Sequence, residues 1–171
     1  VDGSIKQAGS MVAPDRLRFD FNHFEAITPE QIRSIEREVN HQILRNTPLQ
    51  TLEMPLAEVQ QSNDIQAVFD DKYGETVRVV AIGNYSKELC GGTHVEASGD
   101  IGQFRILSES SVAAGIRRIE AVTGMEAYEW AAEEHALVSG LSQRLSVKPV
   151  DLPERMMSMA EQVKGLEKQL K

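Results

Sequence analysis

Leu17-Arg18-Phe19-Asp20-Phe21, followed shortly by Thr28-Pro29-Glu30-Gln31, is the stretch on which the fold turns. Apolar and charged residues alternate over 17–21, the period of a strand with one buried face. Thr28 can cap a helix, Pro29 suits its first position and Gln31 completes a capping box. Ile32, Ile35, Val39 and Ile43 then share one apolar stripe. Asn46 and Pro48 end it.

Outward from there, residues 5–24 read as extended structure. Leu49–Met54 suits a short strand, and a helix begins near Leu56. Thr76–Ile82 is rich in β-branched residues and lies between Gly74 and Gly83, so it reads as a buried strand. Gly102–Glu109 and Ile116–Thr123 are two more strands, joined through the small residues Ala113, Ala114 and Gly115. Met125–Arg144 has no proline and many alanines and glutamates, a helical composition. Pro149 and Pro153 mark a linker. The expected fold class is α+β: a mostly antiparallel sheet packed by helices, followed by a helical or coiled-coil extension.

In the last segment Leu152, Met156, Met159, Val163, Leu166 and Leu170 are spaced four, three, four, three and four, two apolar positions per heptad. Asp151 and Glu154 are placed as a capping box at its start. So narrow a seam calls for a partner helix, either the preceding helix folded back or a second chain. A single amphipathic helix packed on its own domain is the alternative.

Bulk properties bound the function. Of the 171 residues, 41% are apolar and 26% charged, which is ordinary for a globular protein. No apolar run is long enough to span a membrane, and Val1-Asp2-Gly3-Ser4 lacks the apolar core of a secretory signal. One cysteine cannot form an internal disulfide, which fits a reducing compartment such as the cytoplasm. The net charge of −8 argues against a non-specific nucleic-acid binder. Two short basic clusters, Arg16 with Arg18 and Arg117 with Arg118, stand out against it.

Cys90-Gly91-Gly92-Thr93-His94 contains that cysteine and one of four histidines. Thiolate and imidazole suit zinc, and glycines between them let the backbone turn. Three readings stay open on spacing alone: half of a zinc site, a Cys90 nucleophile with His94 as base, or a structural loop. His41 and His135 sit inside predicted helices with no ligand type at i+4, and His23, which ends a strand-like run, could reach the loop but has no local support as a ligand.

Several segments together are similar to the editing domain of alanyl-tRNA synthetases. They are Ile5-Lys6-Gln7-Ala8-Gly9-Ser10, Leu17–Phe21, Glu88-Leu89 with the pentapeptide, Gly99–Ile106 and Ala114–Gly124. The resemblance runs in unbroken order over about residues 5–128. Residues 129–171 resemble the helical linker toward that enzyme's C-terminal domain, and Val1–Ser4 reads as a remnant of cloning.

The resemblance implies hydrolysis of serine or glycine wrongly attached to the terminal adenosine of alanine tRNA. It implies zinc held by Cys90 and His94 together with an upstream His-x-x-x-His, which has no match here; weak or absent zinc and little activity are therefore expected. It places Gln7 and Thr93 in the catalytic pocket, and it makes Arg117, Arg118 and, more weakly, Arg18 the candidates for tRNA phosphates. The implied partners are the 3′ end of alanine tRNA and the rest of the synthetase, with no membrane. The rival readings are a free-standing editing hydrolase and a non-catalytic piece for tRNA docking or oligomerisation.

Overall fold

The structure is a computed structural model that describes residues 5–62, 64–66 and 74–170. It divides into two compact units, one running to Ala127 and the other from Tyr128. The first is α+β, as its sequence predicts.

The alternating segment becomes half of a hairpin. Strands β1 (Gln7–Val12) and β2 (Leu17–Asn22) pair antiparallel. The Ala13 amide donates to the Arg16 carbonyl at 2.9 Å and closes the turn. Strands β6 (Phe104–Ala113) and β7 (Ile116–Thr123) form a second hairpin. Gly115 sits in its two-residue turn at φ 71°, a region that penalises residues with a Cβ. The four strands make one sheet in the order β1-β2-β7-β6.

Helix α1 (Pro29–Leu44) starts with the predicted capping box, Thr28 and Gln31 each satisfying the other's backbone amide. Its apolar stripe packs on this sheet. Ile43 joins Phe21, Phe104, Ile106, Ile119 and Ala121 in the core, with Ile32, Ile35 and Val39 against them.

The remaining strands form a separate antiparallel sheet: β3 (Leu49–Pro55), β4 (Thr76–Ile82) and β5 (Ser86–Leu89), in that order. Helix α2 (Leu56–Gln61) follows β3 and is short. Val59, Val77 and Val79 form this sheet's own core. The stretch before Cys90 has only four residues of strand and no apolar alternation, which is why β5 is not legible in the sequence.

One arrangement locks α1 to the sheet edge. β6 is an edge strand, and an unpaired edge exposes backbone donors and acceptors. Asn40 takes two of them: its amide nitrogen donates to the Phe104 carbonyl at 2.8 Å and its oxygen accepts from the Phe104 amide at 2.9 Å. One helical turn earlier, the buried Glu36 accepts from the Ile106 amide at 2.8 Å and from Arg105 at 3.1 Å. Four residues of helix rise about 6 Å, and two residues of strand about 6.6 Å. The two periods match, so successive side chains on one helix face meet successive amides on the strand.

Helix α3 (Gly124–Leu145), which lies in the second unit from Tyr128 onward, and α4 (Leu152–Gln169) are helical as predicted. The Asp151–Glu154 capping box does not form. A 3-10 turn over Pro149–Asp151 runs directly into α4. Asp151 is therefore already helical (φ −92°, ψ −4°) and its carboxylate caps nothing, because a cap needs extended backbone. Of the heptad seam only Leu152 is buried; Met156, Met159, Val163, Leu166 and Leu170 are 38–88% exposed.

Replacing Asn40 with Ala should cost about 1–3 kcal/mol, the usual cost of leaving a buried backbone group without a partner. Denaturant unfolding of the variant beside the parent chain measures it. A loss below about 0.5 kcal/mol would show that water replaces the amide without penalty.

Candidate functional site

The Cys90 loop hangs between two fixed points. On one side it continues the pairing of β5 with β4: Val79 opposes Leu89, and the Cys90 amide donates to the Arg78 carbonyl at 3.2 Å. On the other side Leu49 donates to the Glu96 carbonyl at 2.9 Å, and Pro48 bridges to Ala97. Ser98 then ties the turn after α1 to the loop's exit, accepting from the Thr47 amide and donating to the Gln42 carbonyl, both at 2.9 Å.

Between these points Arg78 acts as a clamp. Its Nη1 donates to the Cys90 carbonyl at 3.2 Å and also to the Gly92 carbonyl. Cys90 is half-buried, while Thr93 and His94 are exposed. Neither Gly91 nor Gly92 adopts a positive φ. A Cβ at Gly92 would make ordinary contact, 3.6 Å from Cys90 Sγ, and one at Gly91 would meet nothing. The loop's shape therefore comes from Arg78 and the two anchors, not from left-handed glycine backbone.

Zinc takes three protein ligands when catalytic and four when structural. Among the described residues no group of three His, Cys, Asp or Glu side chains is placed to hold a metal. Cys90 and His94 thus supply two donors of the right chemistry, which do not make a complete zinc site. They also make no side-chain hydrogen bond to each other among the described residues, so no nucleophile–base pair is assembled.

The other predicted site residues lie on the four-stranded sheet. Gln7 opens β1 beside a bulge, exposed, its amide donating to Ser10 Oγ at 3.0 Å. No described hydrogen bond joins it to Thr93. His23 stacks on Phe21, ring centres 6.5 Å apart. A surface cavity of about 390 Å³ lies at the end of α1, lined by Asn40, Ile43, Leu44 and Gly99 among others; none of the predicted site residues lines it.

The three arginines are engaged with carboxylates. Arg117 makes a two-pronged pair with Glu109 (2.5 and 2.6 Å), both side chains largely buried. Arg118 does the same with Asp20 (2.7 and 2.8 Å). Arg18 Nε lies 3.7 Å from the same Asp20. The Arg118 hydrogen bonds, helped by the charges of Arg118 and Arg18 and opposed by burial, hold the Asp20 carboxyl below the usual carboxylate range. Glu109 and Asp20 in turn push Arg117 and Arg118 further up through their hydrogen bonds. Asp20 escaped the sequence reading because alternation assigns it to the solvent face; it opposes Arg118 across β2 and β7, and that pairing buries it.

Comparison with known proteins supplies what this geometry alone does not. Residues 77–120, from β4 through most of β7, match the threonyl and alanyl tRNA synthetase second additional domain. Nearly the whole chain aligns with alanine–tRNA ligases. It is 46% identical to that of Petrotoga mobilis over 98% of the chain, and 51% identical to that of Acidithiobacillus ferridurans over 97%. In both cases it spans 19% of the relative's length.

Asp20→Asn should lower stability near neutral pH by weakening the Arg118 pair. A carboxylate with a depressed folded pKa contributes stability that is present above its unfolded value of about 3.9 and is lost as pH falls through the folded one. The gap between variant and parent should therefore narrow as pH drops below about 4. Thermal melts across pH 2–7 measure it; a constant gap would assign the pair no pH-dependent contribution.

Proposed function

We infer that this chain, which aligns over nearly its whole length with alanine–tRNA ligases and over residues 77–120 with the threonyl and alanyl tRNA synthetase second additional domain, hydrolyses the ester joining serine or glycine to the terminal adenosine of alanine tRNA. The observation that carries the reading is that the matched segment includes the Cys90–His94 loop and the strands that hold it. The alignment also continues through the helical extension, which supports a synthetase module over a free-standing hydrolase.

The roles follow from side-chain chemistry. The Gln7 amide both donates and accepts, so it can orient the serine hydroxyl or the attacking water. Thr93 offers a hydroxyl beside the Cys90 and His94 donors. A site built to bond a hydroxyl can reject an analogue lacking it by about 10⁴-fold or more, which would spare alanine. Glycine also lacks a hydroxyl, so its removal rests on pocket size instead. With only two donors in place, this chain alone is proposed to hold zinc weakly and to hydrolyse slowly. That makes tRNA docking without hydrolysis the second reading for the chain on its own.

Deacylation of serine-charged alanine tRNA tests the proposal. The chain alone should be slow, and a version extended at its N-terminus by the preceding segment of its relatives should be much faster. Equal rates would overturn the two-donor argument, as would metal analysis finding about one tightly held zinc per chain. In the extended version Cys90→Ala should abolish the activity.

A further inference from the structure

The arginines most easily read as RNA contacts are already charge-compensated. Arg117 holds Glu109, Arg118 holds Asp20, and Arg18 lies 3.7 Å from that same Asp20. Arg78 differs. It is half-buried, yet among the described residues no carboxylate lies within 4.0 Å of its guanidinium. Glu53 stands opposite it in the β3–β4 register and is exposed, but the two form no ion pair. Its described partners are the carbonyls of Cys90 and Gly92, both taken by Nη1. Nε and Nη2 carry no hydrogen bond among the described residues.

We propose that Arg78 is the phosphate-binding residue of the Cys90–His94 site and that its ligand is a phosphodiester near the 3′ end of an RNA. A half-buried guanidinium with no carboxylate partner among the described residues is suited to an anion supplied by a ligand. Guanidinium pairs bidentately with phosphate oxygens, and two of the three Arg78 nitrogens remain for that contact. The loop carbonyls fix the side chain beforehand, so little of its rotamer freedom is left to lose on binding. The last phosphodiester of an RNA lies one nucleotide from its 3′-terminal ester. A phosphate held at Arg78 therefore brings that ester to the loop bearing Cys90, Thr93 and His94.

This rests on the editing reading, since it takes the substrate to be RNA. The test is binding of a fluorescently labelled minihelix copying the acceptor stem of alanine tRNA, with its single-stranded 3′ end, over a series of salt concentrations. Parent chain, Arg78→Met and Arg78→Lys are compared, and thermal melts confirm folding. Met keeps the aliphatic packing and loses the charge. It should weaken binding about tenfold or more, as loss of a charge-assisted hydrogen bond does. It should also reduce the slope of log K against log salt by about 0.7–0.9, one phosphate contact. Lys should retain the slope. An unchanged slope in Arg78→Met, or Lys behaving as Met does, would leave Arg78 as a loop clamp only and overturn the proposal. A parent chain that does not bind the minihelix would sink the editing reading and this inference with it.

Discussion

The helix α1 does two jobs at once, and the first unit depends on their agreement. Its apolar stripe seals one face of the four-stranded sheet. Its polar residues Glu36 and Asn40 satisfy the open edge of β6. A sheet edge left bare invites pairing with another chain, and a helix packed on apolar contacts alone can slide. Hydrogen bonds to alternate residues of β6 remove both problems, because they are directional and fix the helix in register. The turn after α1 inherits that register, and Ser98 passes it on to the exit of the Cys90 loop.

Charge follows a similar logic. In a chain with a net charge of −8, carboxylates are abundant and most buried or half-buried guanidiniums find one. The two-pronged Arg118–Asp20 and Arg117–Glu109 pairs cross-link neighbouring strands of the four-stranded sheet. Each pair removes a cation from the inventory available to a ligand. Clustered basic residues in sequence are therefore poor guides to where an anion binds. The informative cation is the one whose surroundings leave its charge uncompensated, and that depends on what lies across the strand rather than what lies beside it in the chain.

Local signals in the sequence translated well where one element carried the whole message. The Thr28–Gln31 capping box and the stripe Ile32, Ile35, Val39 and Ile43 describe α1 completely because both are made within it. The same motif failed at Asp151. Its side chain had the right spacing, but the preceding 3-10 turn had already set the backbone helical. The glycines at 91 and 92 misled in the same way: they suggested a turn of special backbone, whereas the loop is shaped by Arg78 from another strand. β5 gave no local signal at all, since its pairing with β4 rather than its own pattern makes it a strand.

By itself the sequence determined the elements whose stabilising contacts are close along the chain, along with the pentapeptide and its neighbours that relate this chain to a tRNA-editing region. Those properties need only residue type and spacing. Tertiary structure alone decided that the strands divide between two sheets, that Glu36, Asp20 and Glu109 are buried partners rather than surface charges, and that Arg78 holds the Cys90 loop. A buried charge is stable only beside a specific partner. Here the partners of Glu36 and Asp20 lie 69 and 98 residues away in sequence, and that of Glu109 lies eight residues on, across a hairpin; helix packing and strand pairing bring them together.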